Sequence, residues 1–96
     1  MTRRPPLYVW RVWLRLRADE RTVEHCAELA VDLGRYDGRT RVEGGSVIVS
    51  LRMVGHGGPA SAVGDAQQVT THAAANAGLR NVRVDVVHAE RIAASP

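Results

Sequence analysis

Leu7-Tyr8-Val9-Trp10-Arg11-Val12-Trp13-Leu14-Arg15-Leu16-Arg17 alternates with a period of two. Successive side chains of a β-strand point to opposite faces, so read as a strand this stretch has two different sides. Tyr8, Trp10, Val12, Leu14 and Leu16 make a dry side; Val9, Arg11, Trp13, Arg15 and Arg17 make a side that carries cations around one indole. A strand with one apolar face needs a cover on that face only, and the rest of the chain is expected to supply it.

Residues 1 to 6 hold Arg3, Arg4, Pro5 and Pro6 with no apolar period and read as a lead-in. After the strand, Asp19 suits a helix N-cap and Glu20 suits the first turn, where the helix dipole favours an anion. The helix is expected to run to about Leu33, with Gly34 as its stop. Val23, Cys26, Ala27, Leu29, Ala30 and Leu33 form its buried stripe, and Glu24, Glu28 and Asp32 its outer face.

Period two returns from Arg35 to Val54, broken by Gly44-Gly45, a two-residue turn suited to a tight hairpin. With those glycines as the loop, Glu43 opposes Ser46, Val42 opposes Val47, Arg41 opposes Ile48, Thr40 opposes Val49 and Arg39 opposes Ser50. Directly opposed residues share a face. Val42 and Thr40 therefore join Val47, Val49, Leu51 and Met53 on the dry side, while Arg39 and Arg41 join Ile48, Ser50 and Arg52 on the other.

Gly55-His56-Gly57-Gly58-Pro59 ends the hairpin and leads to a second helix, starting at Pro59 or Ser61 and closed by Gly78. Its inward stripe is Val63, Ala66, Val69, Thr70, Ala73 and Ala77. The last strand is predicted over Asn81 to His88, with Val82, Val84 and Val86 inward and Arg83, Asp85 and Val87 outward. Residues 89–96 read as a tail, so one domain over 7–88 lies between flexible ends.

The order strand, helix, strand, strand, helix, strand resembles the ferredoxin-like split β-α-β arrangement. That resemblance implies an α+β fold, βαββαβ, with a four-stranded antiparallel sheet in the order 4-1-3-2 and two helices on one face. Because this fold hosts many activities, the resemblance implies a geometry and no function.

Ninety-six residues suit a single domain with a modest core. No apolar run is long enough to cross a bilayer, and the N-terminus lacks the apolar stretch of a signal peptide, so a cytoplasmic location is expected. Cys26 is the only thiol, which excludes an internal disulfide or a cysteine zinc cluster, and it is expected in the core. The net charge is +3, and all thirteen cations are Arg. Residues 19 to 34 carry five acids against one Arg, whereas residues 8 to 18 carry three Arg and no acid. A two-layer fold would separate these charges onto opposite faces.

The open sheet face is the foremost candidate site, with Arg11, Trp13, Arg15, Arg17, Arg41, Ile48, Arg52 and Arg83 as its contact residues. Trp13, Ile48, Val9 and Val87 form an apolar patch rimmed by charge, which suits a second copy of the chain or another protein. The alternative is nucleic acid or another polyanion, with guanidinium groups on phosphates and the indole stacked on a base. RNA-recognition motifs use this face with two or three aromatics on the first and third strands. The third strand here, Ser46-Val47-Ile48-Val49-Ser50-Leu51, has none.

A second candidate is the loop holding His56, Gly57 and Gly58, which precedes a helix as anion-holding loops do. Pro59 removes one donor, and no acidic residue follows about twenty positions on, as the dinucleotide fingerprint requires. His25, Cys26, His72 and His88 lack the spacing of a metal set, so no metal or cofactor is expected. No nucleophile, base and orienter occur together, and catalytic residues are not assigned. A small dimeric ferredoxin-like enzyme or a ligand-binding regulatory domain is the remaining reading.

Overall fold

The computed structural model describes residues 5–18 and 26–95. In chain order these form β1 (Leu7–Arg17), α1 (Cys26–Asp32), a 3-10 turn (Gly34–Tyr36), β2 (Arg39–Glu43), β3 (Ser46–Gly55), α2 (Pro59–Asn76) and β4 (Arg83–Ser95). The architecture is α+β: a four-stranded antiparallel sheet ordered β2-β3-β1-β4, which from its other edge reads 4-1-3-2. Expectations for Asp19, Glu20, Val23, Glu24 and His25 fall outside the described residues, as does the side chain of Cys26. Among the described residues no helix is long and apolar enough to cross a membrane.

β1 and β3 are central, and their alternating residues make the core. Val12, Leu14 and Leu16 from β1 and Val47, Val49 and Leu51 from β3 are completely buried, together with Leu29 and Leu33 from the α1 end. Each such side chain contributes about 1.5–3 kcal/mol by leaving water. α2 packs on this surface with Ala62, Ala66, Thr70, Ala73 and Ala74 buried. Val63, Val69 and Ala77 are only partly buried, so the seat of the helix is turned slightly from the predicted stripe. Small side chains let the helix backbone sit close to the sheet.

The β2–β3 register matches the predicted pairing residue for residue, from Glu43 with Ser46 to Arg39 with Ser50. Gly44 takes a φ of 61°, the left-handed conformation that glycine adopts without a Cβ penalty. α2 ends in a Schellman arrangement: Leu79 N–H donates to Ala74 O at 3.1 Å and Gly78 N–H to Ala75 O at 3.0 Å, with Gly78 at φ 83°.

Two expectations need correction. The α1 stop is not a left-handed Gly34: Gly34 begins the 3-10 turn, and the left-handed residue is Asp37, at φ 50°. The last strand does not end at His88 but continues to Ser95, so residues 89–95 pair with β1 instead of forming a tail. The β1–β4 register also shifts twice, between Val9 and Trp10 and between Trp13 and Leu14. At the second shift Leu14 opposes Val86 while Trp13 opposes His88, which leaves Val87 as the extra residue of a bulge. The bulge reverses the face of the residues after it, from His88 to Arg91, and the other shift, at Ile92, restores the original phase. His88, placed by strict alternation on the dry side, therefore lies on the open face beside Trp13.

Candidate functional site: the uncovered sheet face

With both helices on one side, the other side of the sheet is left to Arg and acid side chains. Cross-strand rows follow from the register. Arg41, Ile48, Arg15 and Asp85 form one; Arg39, Ser50, Trp13 and His88 the next; Arg52, Arg11 and Glu90 a third. Arg17 opposes Arg83 at the end nearest the hairpin turn.

Two arginines of β1 reach across β3 to the acids that bracket β2. Arg11 donates through Nη1 to the Asp37 backbone carbonyl at 2.9 Å and through Nη2 to Asp37 Oδ2 at 2.6 Å. That hydrogen bond, with the nearby charges of Arg11, Arg39 and Arg52, holds the Asp37 carboxyl below its ordinary value of 3.8. Arg15 Nη2 meets Glu43 Oε1 at 3.4 Å, and Arg41 Nη2 meets Glu43 Oε2 at 3.0 Å.

These crossings overturn the reading of Ile48 as an exposed contact. Ile48 is 6% exposed and Ser46 6%, although neither lies under a helix. The stem of Arg15 must pass over β3 between them to reach Glu43, so aliphatic methylenes form the cover. Ser50, opposite Trp13 and Arg39, is buried as well. The predicted apolar patch shrinks accordingly: Val87 is exposed, Trp13 and Val9 are partly exposed, and Ile48 is closed off. Trp13 itself meets His88, ring centroids 5.2 Å apart and tilted by 36°.

Of the remaining contact residues, Arg17, Arg52 and Arg83 are exposed and have no ion-pair partner among the described residues; Arg41 stays largely exposed despite Glu43. Counted over the described residues, the open face carries seven arginines (11, 15, 17, 39, 41, 52 and 83) against four carboxylates (37, 43, 85 and 90). On the helix side Glu28, Asp32 and Asp65 are exposed.

The glycine loop is a tether. His56 Nδ1 lies 3.0 Å from the Pro6 carbonyl, which can only accept, so Nδ1 carries the proton and ties this loop to the start of β1. Gly58 caps α2 without a side-chain bond, with Pro59 at its first turn. A Cβ on Gly57 would come within 2.7 Å of Ser61 Cβ, which explains glycine there by packing. His72 lies on α2 and His88 on the opposite face of the sheet, which separates two members of the imagined metal set.

Sequence patterning gave no sign of a groove of about 520 Å³ between the end of α1 and α2. Leu33 and Met53 floor it, and Asp32, Arg35, Asp65 and His72 stand at its sides. Such a groove depends on how the two helices pack together, a tertiary property that no local period encodes.

Comparison with protein-family models, with curated proteins and with solved structures finds no match to this chain.

Proposed function

We propose that this chain is a non-catalytic interaction domain that docks through its uncovered sheet face on a protein surface bearing carboxylates. The observation that carries this reading is the surplus of three positive charges on a face left bare by both helices. Trp13, partly exposed at the middle of β1, is the anchor, and Arg17, Arg41, Arg52 and Arg83 surround it. Direct face-to-face packing of two copies would set like charge against like, so an acidic partner surface suits the face better than its own image. The ferredoxin-like assignment belongs to the same proposal, supported by the element order and the central β1 and β3.

Nucleic acid is the competing occupant. Arg11 and Arg15 are engaged by Asp37 and Glu43, and four carboxylates are interspersed among the cations, which weakens the face as a phosphate track. A photo-reactive amino acid at Trp13 in the full-length chain, irradiated in its own cells, tests the choice. Adducts to protein are expected, with a doubled chain mass identifying a second copy. Adducts to nucleic acid, or none at Trp13 while a control at Val31 on the helix side gives them, would overturn the reading.

A second reading, a ligand-binding regulatory domain, rests on the groove between the helices. Native mass spectrometry of the purified chain tests it: a retained small molecule lost on His72→Ala is the expected sign.

A further inference from the structure

We propose that the acidic surface on which the sheet face docks is the helix layer of another copy of this chain, so that copies join head to tail. The inference rests on the docking reading and names its partner. The two faces of the fold carry opposite charge. On the sheet face seven arginines stand against four carboxylates. The helices α1 and α2 hold three carboxylates, Glu28, Asp32 and Asp65, all exposed, and no arginine. Arg35 and Arg80 lie beyond the helices, in the turn after α1 and in the segment after α2. Sheet on sheet or helices on helices would set like charge against like, whereas sheet on helices sets a surplus of three positive charges against three negative ones.

Both surfaces also leave apolar side chains in water. Val54, which opposes Val9 on the open face, is 54% exposed, and Val31 on α1 is 81% exposed. Contact between the two layers removes both from water. The groove of about 520 Å³ between the helices suits an arginine side chain: Leu33 and Met53 form an apolar floor for its methylenes, and Asp32 and Asp65 stand at the sides for its guanidinium. Neither carboxylate has an ion-pair partner among the described residues. Arg35 also lines the groove, and with two carboxylates there one negative charge is left for a partner's cation. Arg17, Arg52 and Arg83, exposed and unpaired among the described residues, are the arginines free to supply it. Because the two surfaces lie on opposite sides of the sheet, one copy engages both at once. Repetition then gives a ring where the rotation closes and an open chain where it does not.

Sedimentation velocity of the full-length chain, over a concentration series at low and at raised salt, tests the proposal. The parent is expected to form species larger than a monomer, with a midpoint concentration that rises with salt because the paired charges lie at the surface. The triple variant Arg17→Gln, Arg52→Gln, Arg83→Gln removes the surplus of the sheet face, and the double variant Asp32→Asn, Asp65→Asn removes most of the charge of the helix layer. Each alone should raise the midpoint about tenfold or more, the scale of losing two or three exposed charge pairs. An equimolar mixture of the two should recover association yet stop at a dimer of one copy of each, since only one contact then keeps both of its charged surfaces. That recovery also shows that both variants are folded. A mixture that does not recover overturns the proposal. Association lost in the arginine variant but kept in the aspartate variant identifies sheet-on-sheet contact, which overturns the head-to-tail arrangement and leaves the docking reading standing. Association lost only in the aspartate variant overturns both. A parent that stays monomeric at every concentration, while photo-adducts at Trp13 form with other proteins, overturns this proposal alone.

Discussion

Arg11 on β1 and Asp37 before β2 are joined by two hydrogen bonds, at 2.9 and 2.6 Å, across the whole width of β3. The reach is two strand spacings, about 10 Å. At the other end of β2, Glu43 receives Arg15 in the same way. β2 is a five-residue edge strand with one hydrogen-bonded neighbour, and Val42 on its covered side is still 48% exposed, so little apolar burial holds it. The two crossings fasten that weak edge to the central strand, and the Arg15 crossing in passing closes over Ser46 and Ile48. Arginines that look like a reserve of free charge are thus divided between holding β2 and facing outward.

Removing the Arg11 crossing should loosen β2 before the rest of the sheet. In Arg11→Ala the β2 amides are expected to exchange roughly tenfold faster, with β1–β4 amides little changed, because local opening follows the bonds that close each segment. Asp37→Asn keeps the backbone carbonyl acceptor and should do less. Its effect should depend on pH with a definite sign. The folded Asp37 carboxyl titrates below 3.8, so the charged form stabilises the fold at every pH above 3.8. That contribution is lost as pH falls through the lowered folded value. The stability difference between parent and Asp37→Asn should therefore be constant from neutrality to about pH 5 and close in strong acid. Urea midpoints at a series of pH values measure it, and a gap that persists in strong acid would separate the ion pair from the effect.

Thr70 is completely buried in α2, and its hydroxyl has no hydrogen-bond partner among the described residues. Valine has the same branched shape without the polar atom. An unsatisfied buried hydroxyl costs about 1–3 kcal/mol, so Thr70→Val is expected to stabilise the fold by that order. In a domain of this size 1 kcal/mol corresponds to roughly 4–8 °C in melting temperature. A calorimetric midpoint at or below that of the parent would mean that the hydroxyl is satisfied.

Much of this fold was legible because it is carried by local periods. The period-two run at Leu7 to Arg17 marked the covered face through Val12, Leu14 and Leu16, and the Gly44-Gly45 turn fixed the hairpin register. What escaped the reading needed three dimensions. Ile48 alternates like an exposed residue but is closed off by a side chain from the neighbouring strand. His88 alternates like a core residue but is turned outward by a bulge. Arg11 and Arg15 carry no local mark that distinguishes them from Arg17, since their partners, Asp37 and Glu43, lie 26 and 28 residues away.

The bulge at Val87 separates two accounts of β4 in one deletion. Under strict alternation, removing Val87 would turn every later residue to the other face. With Val87 as the extra residue, its removal leaves Val86 opposite Leu14 and His88 opposite Trp13, and the strand merely becomes regular as far as the other shift, at Ile92. The deletion should cost no more than about 1 kcal/mol, near the scale of a surface change, and should keep nuclear Overhauser contacts between the Trp13 and His88 rings. Deleting Ala89, which pairs with Val12, should instead bring Glu90 toward the covered side and destabilise the fold severely, because a carboxylate there is desolvated without a partner. A β4 that is regular from Arg83 to Arg91 has a further consequence. It is an edge strand of 13 residues with exposed Val86 and Ile92, and bulges keep such edges from pairing with another chain. Without Val87 the edge is flatter, and light scattering should record association that rises with concentration more steeply than in the parent. An unchanged mass together with an intact Trp13–His88 contact would remove the edge-protecting role from the bulge while leaving its register role in place.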